Sequence, residues 1–116
     1  MTNNDTTIIF TAFDQTFAVT PQLSSYNPNG RVAIAFFDED GPFAKLTTNL
    51  PDQHLNEGEV FVKDWAENEP LVEALLEFGW LELTGREVQS GFVFPKVMRP
   101  AGPLLNLLRN NHIIGF

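Results

Sequence analysis

Only one segment of this chain combines the apolar spacing of a helix with the boundaries of one. Leu71, Val72, Leu75 and Leu76 recur at the three-to-four-residue interval that lines a single helical side. Asn68 stands where an N-cap belongs, Glu69 and Pro70 suit a first turn, and Gly79 suits the position just past the end. The spacing predicts a helix from about Glu69 to Phe78. Almost everywhere else the apolar residues come in short runs of β-branched and aromatic types, divided by turn formers. That is the pattern of strands.

Read in order, the strands begin with Thr6 to Phe13, turned by Asp14-Gln15 into Thr16 to Thr20. Ser24 to Gly30 is a loop, and its Asn27-Pro28-Asn29-Gly30 has turn chemistry. Arg31 to Phe37 is apolar enough for a central strand. Asp38 to Pro42 reverses the chain, and Phe43 to Thr48 returns. A polar connector, Leu50 to Gly58, leads to a brief strand, Glu59 to Lys63. After the helix, Trp80 to Leu83 and Glu87 to Phe94 read as a hairpin around Thr84-Gly85-Arg86. In that reading Val88, Phe92 and Phe94 share one core-facing side. Beyond Pro100-Ala101-Gly102-Pro103, Leu104 to Arg109 is one or two helical turns, and His112 to Phe116 suits a last strand.

Strands before and after one helix, joined by short connections, define an α+β chain. The expected architecture is an antiparallel sheet of about five to seven strands with one main helix packed on one face. At 116 residues the chain is one domain. Residues 1–30 form an N-terminal hairpin and loop, 31–99 the core, and 100–116 an apolar C-terminal tail. A hydrophobic content of 43 % and eleven Phe are enough for a folded core.

Charge is distributed unevenly. Asp38 to Glu82 holds twelve acids and only two bases, Lys45 and Lys63, a local net of −10 in a chain of net −8. Such asymmetry disfavours direct contact with nucleic acid and favours a basic partner. Glu69, Glu73 and Glu77 are spaced i, i+4, i+8, so the predicted helix carries three carboxylates along one side with no base between them. Asp38, Glu39, Asp40, Asp64 and Glu67 extend the candidate contact set. Arg86, Lys96, Arg99 and Arg109 make at most a small basic patch, too weak to hold phosphate against the overall charge.

The residue types that catalysis needs are sparse. There is no cysteine, which removes disulfides and thiolate metal sites and fits a reducing cytoplasm. His54 and His112 lie in unrelated segments without metal-ligand spacing. Asp38-Glu39-Asp40-Gly41 fails as a calcium loop, because aligning its glycine puts Phe36 at the first ligand position. No serine sits in a nucleophile elbow and no glycine-rich phosphate cradle occurs. Met1 to Asp5 has no basic or apolar leader character, and no run approaches the ~20 apolar residues of a membrane helix. The expectation is a cytoplasmic, non-enzymatic chain with no cofactor, no metal and no membrane contact.

Three stretches, GPFAKLTTNLPD (Gly41 to Asp52), EVFVKDWAENE (Glu59 to Glu69) and TGREVQSGF (Thr84 to Phe92), carry a resemblance. The block from Arg31 to Pro100 resembles a family of small acidic proteins of unknown function from bacterial mobile elements (plasmids, integrated elements and phage). The resemblance implies that setting and no mechanism. Together with the charge, it suggests an inhibitor of a host defence complex, anti-CRISPR or anti-restriction, that occupies a basic nucleic-acid-binding surface. The alternative is an accessory module that binds a protein of its own element through apolar surface.

Overall fold

The computed structural model describes residues 6–27 and 29–116. Met1 to Asp5, where no leader is expected, and Pro28 of the expected turn lie outside the described residues. The elements in chain order are β1 (Ile8–Ala12), β2 (Gln15–Ser25), β3 (Val32–Asp38), β4 (Gly41–Lys45), β5 (Val60–Val62), a 3-10 turn (Ala66–Asn68), α1 (Glu69–Glu77), β6 (Leu81–Glu87), β7 (Lys96–Pro100) and α2 (Gly102–Asn110).

The α+β class holds, but the expected single sheet of five to seven strands is two antiparallel sheets. The first has four strands in the order β1-β2-β3-β4, the second three in the order β5-β7-β6. The chain changes sheets just past β4. Leu46 N–H donates to Ile34 O of β3 at 2.9 Å, and Leu46 O accepts Lys63 N–H at 2.8 Å. Thr47 then bridges Val62, and Thr48 N–H reaches Phe61 O at 3.1 Å. One fully buried residue, Leu46, is thus bonded to both sheets.

β2 runs past the expected end at Thr20 because Pro21 is harmless there. Tyr26 N–H donates to Arg31 O at 2.8 Å, so hydrogen-bonded pairs with β3 fall at the even positions of β2. The missing N–H of Pro21 faces the other edge, where β1 pairs only as far as Val19.

The helix is nearly as expected. Leu71, Val72, Ala74 and Leu75 are buried beneath it. Gly79, at φ +79°, ends it: Trp80 N–H bonds Leu75 O at 2.8 Å and Gly79 N–H bonds Leu76 O at 3.2 Å, the paired Schellman bonds. Asn68 does not cap it. Its buried side chain instead donates to Lys45 O at 2.7 Å and Lys63 O at 3.1 Å, tying the helix start to both sheets. The apolar tail becomes α2, with Leu104 and Leu108 fully buried, and residues 112–116 form turns rather than the expected strand. Gly102 lies so close to the end of α1 that a Cβ there would stand 2.8 Å from Gly79 O.

The hairpin after the helix turns elsewhere than expected. Thr84 and Gly85 are an irregularity inside β6, between the pairs Leu83–Met98 and Arg86–Val97. The reversal comes at Gly91-Phe92, where Ser90 and Val93 exchange backbone bonds at 2.9 and 3.1 Å. Phe92 sits at the tip, fully exposed, and Phe94 is exposed too, so neither is the core residue the alternation implied. The two arms rejoin below the tip, where Val88 N–H donates to Pro95 O at 3.0 Å.

Asn68→Ala removes two bonds and leaves the Lys45 and Lys63 carbonyls without that donor. It is expected to lower stability by ~1–3 kcal/mol in urea denaturation, with the slope unchanged.

Candidate functional site

The acidic residues fall into two groups. Glu67 on the 3-10 turn and Glu69, Glu73 and Glu77 on α1 are exposed. The three on α1 face away from the buried Leu71–Leu75 side because carboxylates and leucines occupy opposite sides of one helical period. Asp38, Glu39 and Asp40 form the β3–β4 turn, where Asp38 Oδ1 accepts Asp40 N–H at 2.8 Å. Among the described residues, no Lys or Arg nitrogen comes within 4 Å of any of these seven carboxylates. Nor does the last turn of α1 hold a base to offset Glu77.

Asp64 behaves differently from the rest of the expected contact set. It is half-buried and holds Lys96 Nζ at 2.9 Å, and Glu87 Oε1 lies 4.0 Å from the same nitrogen. The hydrogen bond to Asp64 outweighs the burial of the ammonium and holds Lys96 above the ordinary lysine range. Its stabilising effect is present below about pH 10.4 and is lost as pH rises through the higher folded value.

The small basic patch considered from the sequence is also occupied. Arg86 and Arg99 both hold Glu59, a carboxylate whose side chain is only 2 % exposed, while their own side chains are 42 % and 51 % exposed. Asn56 adds a backbone N–H at 2.8 Å and a side-chain amide at 3.4 Å to the same carboxylate. The interruption at Thr84-Gly85 makes this possible. Thr84 Oγ1 donates to Val97 O at 2.7 Å, Gly85 takes φ +88°, and Arg86 rather than Thr84 stands opposite Val97. Arg109, the fourth base, donates from Nε to Phe116 O at 2.9 Å.

Glu59 belongs to a second, smaller packed layer that sequence reasoning missed. Phe61 and Val97 pair across β5 and β7 and are fully buried, yet both lie outside the main core cluster. Arg31 covers Phe61, its guanidinium 5.8 Å from the ring centre, and donates to Leu50 O at 2.9 Å and Gln53 O at 2.8 Å. One signal was available. In Glu59 to Lys63 the period of two puts Glu59 on the same side as Phe61, so an acid shares the side of a large apolar residue. The arginines, distant in sequence, gave none.

A cavity of about 450 Å³ opens beside this layer. Tyr26, Arg31, Thr47, Glu59, Phe61 and Ile113 are among its walls. His54 is exposed and bonds Asn56 Oδ1 through Nε2 at 2.7 Å, and His112 is exposed at the cavity's edge. Among the described residues, no three His, Asp or Glu side chains cluster as a metal site would need, and no helix is long and apolar enough to cross a membrane. No family model matches the chain, and neither a curated protein nor a solved structure does.

Burial alone pushes the Glu59 carboxyl up. The Asn56 N–H, the charge of Arg86, and side-chain bonds from Asn56 and Arg86 together outweigh it and hold the group below the ordinary glutamate value. The resulting stabilisation is complete above about pH 4.3 and is lost as pH falls through the lower folded value. Glu59→Gln is therefore expected to cost ~1–3 kcal/mol near neutral pH and to flatten the loss of stability on acidification. Urea unfolding followed from neutral to acid pH checks both. An acid limb as steep in the variant as in the parent would assign the titration to another group.

Proposed function

We infer that this chain is a small, non-enzymatic acidic binding protein of the cytoplasm. Its carboxylates occupy a basic, nucleic-acid-binding surface of another protein, in keeping with inhibition of a host defence complex of the anti-CRISPR or anti-restriction kind. One observation carries the reading: Glu67, Glu69, Glu73 and Glu77 are exposed on one short segment with no base within 4 Å among the described residues. Residues four apart on a helix rise ~6 Å, so the segment presents a row of fixed negative charges on a rigid rod. A groove shaped for a phosphate backbone offers lysines and arginines to such a row. The turn acids Asp38, Glu39 and Asp40 supply a second point of attraction. Asp64, committed to Lys96, is left out of the contact set.

The resemblance to acidic proteins of mobile elements supplies the setting. An element that enters a bacterium meets enzymes that cut foreign nucleic acid, and covering their basic grooves blocks them without chemistry.

A second reading, an accessory module that binds a protein of its own element through apolar surface, rests on Phe92. A fully exposed phenylalanine at a hairpin tip is an aromatic anchor with no intramolecular work. The buried leucines of α2 remove most of the tail from that role.

The test is transformation of cells that carry an active restriction or CRISPR system, with and without the chain expressed. Protection of the incoming plasmid is expected from the parent and from Phe92→Ser, and is expected to vanish for Glu73→Lys/Glu77→Lys. The double charge reversal turns the Glu69–Glu73 repulsion into an attraction, leaves one like-charge pair at 73 and 77, and puts a cation at the helix C-terminus, so it should be no less stable than the parent. Retained protection by the folded double variant, with loss in Phe92→Ser, would transfer the role to the apolar tip. Capture of the partner on the immobilised chain should weaken steeply as salt rises.

A further inference from the structure

The cavity beside the second packed layer has chemistry that the acidic segment does not use. Its volume, about 450 Å³, lies within the range of roughly 300–1,000 Å³ common to small-molecule sites. Val32, Val60, Phe61 and Ile113 supply apolar wall. Two of its polar walls are donors with capacity to spare, and the exposed Glu57 carboxylate lines the same cavity.

The first is found by counting protons. Thr47 Oγ1 accepts the Ile34 N–H at 3.1 Å and lies 2.9 Å from the Tyr26 hydroxyl. Two hydroxyls carry two protons but share one bond, so one proton is left over. Thr47 is 3 % exposed, and a proton unpaired there would be stranded in the interior. The favourable arrangement has Thr47 donating to Tyr26, which leaves the Tyr26 O–H to serve an acceptor in the cavity.

The second is Arg31. Its guanidinium bonds only neutral carbonyls, those of Leu50 and Gln53, and no carboxylate lies within 4 Å of it among the described residues. Glu59, in the same wall, is already held by Arg86, Arg99 and both nitrogens of Asn56. The Tyr26 N–H to Arg31 O bond sets the two donors side by side on the chain. A hydroxyl donor and an uncompensated guanidinium in the wall of one cavity suit an anionic acceptor.

We propose that this cavity binds a small organic acid, with its carboxylate taken by Tyr26 and Arg31 and its apolar body against Val32, Val60 and Ile113. The site is independent of the acidic segment. The chain's net charge of −8 opposes an anion at long range, but that field is screened beyond about 8 Å at physiological salt, whereas Arg31 acts at contact.

Benzoate, benzamide and benzylamine, titrated into the full chain and followed by amide NMR, test the proposal. Benzoate is expected to give saturable shifts at Tyr26, Arg31, Phe61 and Ile113, with benzamide weaker and benzylamine without effect there. Tyr26→Phe, shown to be folded by its spectrum, should weaken benzoate by ~3–10-fold. No saturable shift at Tyr26 and Arg31, or benzylamine binding as tightly as benzoate, would overturn the proposal. So would a folded Tyr26→Phe variant with unchanged benzoate affinity. The ranking of the three probes on the parent chain decides the question even where the variant is unstable.

Discussion

The join at Leu46 and Thr47 is the constraint on which the rest of the molecule depends. Leu46 gives its N–H to one sheet and its carbonyl to the other. Thr47 continues the crossing with a bridge to Val62 and, through its hydroxyl, with bonds to Ile34 and Tyr26. Buried backbone groups must find partners, so a strand passing between two sheets is possible only if each side completes the ladder of the other. Asn68 reinforces the same place from the helix side by bonding the Lys45 and Lys63 carbonyls that flank the crossing. The start of α1, and with it the direction of Glu69, Glu73 and Glu77, is set at this point.

The two signs of charge are handled in different ways. Three of the seven bases, Arg86, Lys96 and Arg99, are spent on carboxylates within the second sheet and its surroundings. There they close a small layer over Phe61 and Val97 and fasten the connector through Asn56. The acids of α1 and of the β3–β4 turn have no such task. Internal pairing therefore draws cations away from the helix, and the segment's negative field follows from where the arginines are used as much as from where the glutamates lie.

Local signals were legible in the sequence, and long-range ones were not. The α1 boundaries followed from Leu71, Val72, Leu75 and Gly79, because helix spacing and a glycine stop are properties of neighbours. The α+β class and the β3–β4 reversal at Asp38–Gly41 followed from composition and turn chemistry. The hairpin reversal did not, since Thr84-Gly85 and Gly91-Phe92 are both plausible turns and only register against β7 separates them. Asn68 looked like a cap because capping is local, whereas its carbonyl partners are Lys63, just past β5, and Lys45 at the end of β4, 5 and 23 residues away. Of the candidate site, the helix carboxylates were readable one by one. The Glu59 cluster joins residues 27 and 40 positions apart, the cavity unites residues from Ser24 to Phe116, and no spacing rule reaches that far.

The near-contact of Gly79 with Gly102 has a wider meaning. Where two helix ends touch through bare backbone, neither has a flexible side chain to absorb a displacement, and Ala101 N–H is bonded to Trp80 O at 2.8 Å beside them. The end of α1 and the start of α2 thereby meet at one corner. The first helix carries the row of glutamates and the second leads directly into the wall that holds Ile113. The fold has in this way set its two most distinctive surfaces on a common frame, so that their mutual orientation is a property of the backbone and not of the side chains that line them.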